Sequence, residues 1–256
     1  GVTTIGEASF YNCTGLSEVT LPSTLETIGK SAFSGCSQIT EITLPPNLSN
    51  VGGSAFNGTN LTEINIPKSL CNSSQSGSIF NIETLKEITF DEGVESIPDR
   101  MFYGCTGIET ITIPATVTTI GESAFSNCTG LMDVTLNEGL SSIGTYAFSG
   151  CTSLTGVTLP AGLERLGSEA FGSCTSLESI NIPKDVAVFG STGSYYASYY
   201  SPFSGSGIKN VTFEEGTTKI SGGLFSCVTS IESIDIPEGV TTIGEASFYN
   251  CTGLSE

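Results

Sequence analysis

Nine cysteines are the residues of this sequence best equipped for chemistry, and seven of them stand three positions after a phenylalanine: Cys13, Cys36, Cys105, Cys128, Cys151, Cys174 and Cys251. Cys227 comes one position early, and Cys71 stands apart. A thiolate can attack, coordinate or cross-link, but each use requires partners. The chain has no His, which removes Cys-His and Ser-His nucleophile pairs and the commonest metal ligand. It has no C-x-x-C, so the usual spacing of a zinc site is missing. On stacked repeats neighbouring cysteines would lie within the ~4.4–6.8 Å that a disulfide tolerates. Parallel side chains run alongside one another rather than converging, however, and the count is odd. The expectation is a column of free, buried thiols that behave as small hydrophobes.

The carboxylates are the second candidate. Glu18, Glu41, Glu63 and Glu87 occupy one position of four successive repeats. A row of like charges on adjacent strands costs from a few tenths to ~1 kcal/mol per pair. It reads either as a site for a cation or a basic partner or as a solvated face. No D-x-[DN]-x-[DN]-G loop is present, so calcium is not expected and no metal ligand is assigned. Glu214 and Glu215 could in principle serve glycoside hydrolysis. Neighbours on a strand face opposite ways, so the pair is not read as catalytic. No catalytic residue and no cofactor is expected, and the chain is read as a non-enzyme. A Thr column runs beside the glutamates (Thr20, Thr43, Thr89, Thr112, Thr135, Thr158), but one such column is too narrow for an ice-binding array. Finally, YYASYY places Tyr195, Tyr196, Tyr199 and Tyr200 within six residues. These rings suit either a recognition loop or packing over a gap in the core.

The elements that position these side chains follow from an internal repeat. Phenylalanines recur at Phe10, Phe33, Phe56, Phe80, Phe102, Phe125, Phe148, Phe171, Phe203, Phe225 and Phe248. Each unit reads approximately L-x-x-[IV]-x-[LI]-P-x-x-[LV]-x-x-I-G-x-x-A-F-x-x-C-x-x-L, most cleanly in LSEVTLPSTLETIGKSAFSGC, residues 16–36. In ten segments of the LSEVTL type the fourth and sixth letters are apolar and the fifth is polar, the period-2 signature of a strand with one buried face. In seven of the ten a proline follows and ends the strand, because it has no N–H to donate. A shorter V-T-T-I-G type strand comes next. A 23-residue unit cannot bury its apolar face alone, so stacking is required. The expected fold is a β-rich solenoid of about ten to eleven 23-residue rungs with a parallel sheet, uncapped at both ends.

The L-x-x-V-T-L-P strand, the L-x-x-I-G turn and the A-F-x-x-C-x-x-L return resemble the BspA-like (Treponema pallidum-type) leucine-rich repeat family of surface proteins, over the whole chain. The resemblance implies a cell-surface, adhesive or ligand-binding solenoid rather than an enzyme, and an extracellular or cell-surface location.

Composition narrows the partners. Twenty-six acids face eight bases, a formal net charge of −18, which repels nucleic acid and anionic membrane surfaces. No apolar run reaches the ~18–20 residues of a spanning helix, so no direct membrane insertion is expected. A protein or glycan ligand remains the expected partner.

A second period lies above the first. An offset of 115, changing to 123 beyond the irregular rungs of Phe80 and Phe203, divides the chain into unit A (1–115), unit B (116–238) and the start of a further A (239–256) within one continuous solenoid. Residues 1–18, GVTTIGEASFYNCTGLSE, return letter for letter at 239–256. The ends therefore read as cuts through an array. The alternative function is a segment of a long extracellular fibre built from tandem 238-residue repeats, with head-to-tail self-association into filaments.

Overall fold

A computed structural model describes residues 1–72, 77–190 and 200–255. The chain coils as a β-solenoid, and the two strand types of the repeat form two separate ladders, each divided among the described residues into three short hydrogen-bonded sheets. The short V-T-T-I-G type strands are β1 (Thr4–Ile5), β2 (Thr27–Ile28), β3 (Asn50–Val51), β6 (Ser96–Ile97), β8 (Thr119–Ile120), β10 (Ser142–Ile143), β12 (Arg165–Gly167), β14 (Ala187–Phe189), β16 (Lys219–Ile220) and β17 (Thr242–Ile243). The L-x-x-V-T-L type strands are β4 (Glu63–Ile66), β5 (Glu87–Phe90), β7 (Thr110–Thr112), β9 (Asp133–Thr135), β11 (Gly156–Val157), β13 (Ser179–Ile182) and β15 (Asn210–Phe213). Every pairing is parallel and in phase with the repeat, as in Ile120 with Ile143 and Val134 with Val157.

Alternation decides the faces. In β4 and β13 the residues run exposed, buried, exposed, buried, so Ile64, Ile66, Ile180 and Ile182 enter the core while Glu63, Asn65, Ser179 and Asn181 face out. Where a proline closes the segment it begins a turn: Leu25, Leu48, Val117 and Leu163 each donate their N–H to the carbonyl of the proline three residues back, at 3.0 Å. Three of the ten expected long strands do not form. The segments at 16–21, 39–44 and 231–236, in the first two rungs and the last, lie outside any strand, although Ile39, Leu44 and Ile231 are buried. The irregular rung of Phe80 opens on a short helix α1 (Lys68–Cys71) whose Leu70 and Cys71 are buried.

The eleven phenylalanines form one unbroken stack from Phe10 to Phe248. Successive centroids are 5.0–6.0 Å apart with interplanar angles of 2–20°, within the range of favourable aromatic contacts. Nine of the rings, Phe33 to Phe225, are fully buried. Phe90 and Phe213 meet the stack edge-on at Phe102 and Phe225. Backbone bonds run beside the rings, with Phe10, Phe33, Phe125 and Phe148 each donating to the alanine carbonyl of the next rung at 2.7–2.8 Å.

Two turn positions explain recurrent small residues. The glycine of the I-G pair lies against the neighbouring rung: a Cβ on Gly29 would stand 2.5 Å from the Glu7 nitrogen, and one on Gly144 would stand 2.6 Å from the Gly121 carbonyl carbon. Two residues after the Phe the backbone is left-handed, at Asn12, Asn127 and Asn250 (φ 55 to 59°) and at Gly35, Gly58, Gly104 and Gly150 (φ 71 to 78°), which is why Asn and Gly dominate there. A Cβ on Gly35 or Gly150 would also strike the Asn12 or Asn127 side chain of the rung before.

Candidate functional site

The cysteine column forms, and most of its thiols are buried. All nine cysteines are free thiols. Six donate their S–H to the phenylalanine carbonyl of the preceding rung: Cys36 to Phe10 (3.0 Å), Cys105 to Phe80, Cys128 to Phe102 (3.2 Å), Cys151 to Phe125 (3.3 Å), Cys174 to Phe148 (3.2 Å) and Cys251 to Phe225 (3.0 Å). In the rung of Phe56 the place falls to Thr59, whose hydroxyl bonds Phe56 itself at 2.8 Å. Burial pushes the Cys105 and Cys174 thiols up to about 12, and it raises those of Cys128 and Cys151 well above their ordinary value. A thiol held protonated is a poor nucleophile. Cys13, in the first rung, is exposed.

The glutamates are brought together. Glu63 and Glu87 are register partners on β4 and β5, and Glu18 and Glu41 continue the row on the two extended segments before them. All four line one groove of ≈ 530 Å³ on the outer face of the long-strand ladder, with Asn65 and Thr89 on its floor. That floor is wired across strands: Thr89 donates to the Asn65 amide oxygen at 2.9 Å, and the Asn65 amide donates to Asp91 at 2.8 Å. None of the four glutamates has an ion pair among the described residues, where the pairs are Lys68–Glu95, Arg100–Glu122 and Lys209–Glu178. No group of three or more Cys, Asp or Glu among the described residues is placed to hold a metal ion; the row spreads its carboxylates along the ladder instead of converging them.

A second groove of ≈ 660 Å³ crosses the same kind of ladder in unit B, lined by Asp133, Gly156, Ser179 and Asn210 where the first has glutamates. Its floor repeats the amide–hydroxyl contact, Thr212 donating to Asn181 at 2.8 Å.

Of the four tyrosines of YYASYY, read either as a recognition loop or as packing over a gap in the core, Tyr195, Tyr196 and Tyr199 lie outside the described residues, and Tyr200 is 53% exposed. Tyr146, which sequence reading passed over, is also exposed, on the flank of the Phe stack. The signal was available: Tyr146 stands two residues before Phe148, where other rungs carry Ala8, Ser31, Ser54 or Ser123. Glu214, for its part, lies just beyond β15 and accepts the Lys184 N–H at 2.9 Å, a structural contact at the ladder's edge.

Coil, parallel ladders and leucine-type strand pattern together define a leucine-rich-repeat solenoid. The family model for the BspA type leucine rich repeat region (6 copies) matches residues 3–132, 74–200 and 199–256, and the chain belongs to that family. Among solved structures it is similar to a leucine-rich repeat protein from Bacteroides ovatus, with 27% identity over 99% of this chain and 75% of that one, TM-score 0.68. It is similar also to the T. pallidum leucine rich repeat protein, with 25% identity over 85% of this chain and 88% of that one, TM-score 0.55. The pneumococcal vaccine antigen PcpA, 23% identical over 95% of this chain and 66% of that one, TM-score 0.55, shares the fold. No curated protein matches the chain. No helix among the described residues is long and apolar enough to cross a membrane.

Proposed function

We propose that the chain is a non-enzymatic binding module that works at the cell surface or outside the cell, in adhesion to a protein partner with a basic surface. The observation that carries this reading is the unit A groove, where four carboxylates on neighbouring rungs form no ion pair among the described residues. In a chain of net charge −18 such a row repels itself, and a partner bearing Lys or Arg relieves that repulsion as it docks. What supports the location is membership of the BspA type leucine rich repeat family.

Beads coated with the chain and scored for attachment to immobilised extracellular-matrix proteins test the proposal. Glu18→Gln, Glu41→Gln, Glu63→Gln and Glu87→Gln combined are expected to weaken attachment about ten-fold or more, and attachment is expected to fall with salt as exposed charges are screened. Attachment that ignores both the substitutions and the salt removes the groove from the reading.

A second reading rests on a different observation, the letter-for-letter return of residues 1–18 at 239–256. Repeats copied this faithfully suit a chain whose role is to extend a uniform rod, by tandem copies or by head-to-tail stacking. Electron microscopy of the intact protein separates the two: uniform fibres favour the scaffold, and discrete rods favour the binding module.

A further inference from the structure

All five described tyrosines, Tyr11, Tyr103, Tyr146, Tyr200 and Tyr249, are exposed and lie within three residues of a stacked phenylalanine. They therefore sit on the return flank of the coil, a side distinct from the grooved ladder. Two of them share one strip. In the rungs of Phe125, Phe148, Phe171 and Phe203, the residues two or three places before the phenylalanine are Glu122, Tyr146, Glu169 and Tyr200. Acid and aromatic thus alternate from rung to rung over two adjacent turn positions, Tyr146 and Glu169 standing second before the phenylalanine and Glu122 and Tyr200 third. Backbone bonds tie the strip together, Tyr146 N–H to the Ser168 carbonyl and Glu169 N–H to the Ser201 carbonyl, both at 3.0 Å.

Three features set the middle of this strip apart from a solvated turn. Tyr146 puts a ring, 38% exposed, at a left-handed turn position that other rungs fill with Ala8, Ser31, Ser54 or Ser123. Glu169 is half-buried, and its carboxylate has no hydrogen bond or ion pair among the described residues, whereas Glu122 is held by Arg100 at 3.2 Å. The two rings lie two rungs apart, roughly 10 Å at ~4.8 Å per strand, with the unpaired carboxylate between them.

We infer that the Tyr146–Glu169–Tyr200 strip is a second binding site, and that its ligand is a neutral, extended polysaccharide. A β-1,4-linked pyranose chain advances by about one rung per sugar and turns the same face outward at every second sugar. Tyrosines on alternate rungs therefore meet equivalent sugar faces, and Glu169 meets the hydroxyls of the sugar between. An extended peptide repeats its facing side chains about every 6.6 Å, out of step with this spacing. The unpaired carboxylate and the acidic chain disfavour anionic glycans.

Affinity electrophoresis of the chain in gels containing a soluble cellulose ether or a galactomannan tests the inference, with dextran gels and a lysine-rich peptide competitor as the opposing arms. The expected result is retardation by a β-1,4-linked polymer, none by dextran, and no effect of the peptide. Tyr146→Ala and Tyr200→Ala should each weaken retardation about 3- to 10-fold, the worth of one ring contact, and the pair should abolish it. Glu169→Gln should keep it within about 3-fold, and Tyr249→Ala, outside the strip, should leave it unchanged. Thermal melts matching the parent establish that the variants are folded. Substituting the four groove glutamates should leave retardation intact, which separates this site from the groove. No retardation in either β-1,4 gel, full retardation of the double variant, or displacement by the peptide together with loss in Glu169→Gln each overturns the assignment, the last in favour of a cationic partner.

Discussion

Unit A and unit B lay down the same coil and surface it differently. Phe56 and Phe171 are both fully buried in one stack, and the floor hydrogen bonds Thr89–Asn65 and Thr212–Asn181 repeat almost to the ångström. The groove edges do not repeat: Glu18, Glu41, Glu63 and Glu87 over unit A, Asp133, Gly156, Ser179 and Asn210 over unit B. The lesson is one of separable duties. Letters that point inward must match the rungs above and below, while the third letter of the long strand points out and meets no packing constraint. It is free to carry four carboxylates along one groove and a single one, Asp133, along the other.

The sharpest test of the shared part is the core. Phe56→Ala and Phe171→Ala should each cost about 3–5 kcal/mol in denaturant unfolding, equally in both units. A cost in one unit less than half that in the other would break the equivalence. Next come the I-G turns, where Gly29→Ala and Gly144→Ala press a methyl into the backbone of the adjacent rung. Each should lose about 1–3 kcal/mol, again alike. Alkali probes the common thiol column more gently. Burial raises the Cys105 and Cys174 thiols from 9.0 to about 12, so the folded state keeps protons that the unfolded chain gives up. Their contribution is complete below about pH 9 and is lost as pH rises toward 12. The unfolding midpoint should fall over that window, and Cys105→Ala with Cys174→Ala should flatten the fall.

The smallest effect exposes the difference. Glu63 and Glu87 face each other across two strands, so Glu63→Gln should stabilise the chain by a few tenths up to ~1 kcal/mol at low salt. Ser179→Gln, opposite Asn210 in unit B, should change little. An equal gain at both positions would mean that charge is not what distinguishes the grooves.

Periodic features were legible because a solenoid writes one environment many times. The Phe, Cys and I-G columns, the proline turns and the glutamate row could be found by spacing alone. The strip of Tyr146, Glu169 and Tyr200 could not. Tyr200 follows an irregular rung that breaks the spacing, and nothing local marks Glu169 as unpaired. The segments at 16–21, 39–44 and 231–236 carry the strand pattern as plainly as the others, yet they lie outside any strand: alternation selects the inward face but does not by itself bring two backbones into hydrogen-bonding register.

What the sequence determined by itself is the repeat, and with it the fold: an apolar period of 23 residues can be buried only by stacking copies of itself. What only the tertiary structure decided is which outward letters become neighbours. Stacking turns residues 23 or more positions apart into contacts at rung spacing. Four glutamates thereby become the edge of a groove, and two tyrosines become a pair astride an unpaired carboxylate.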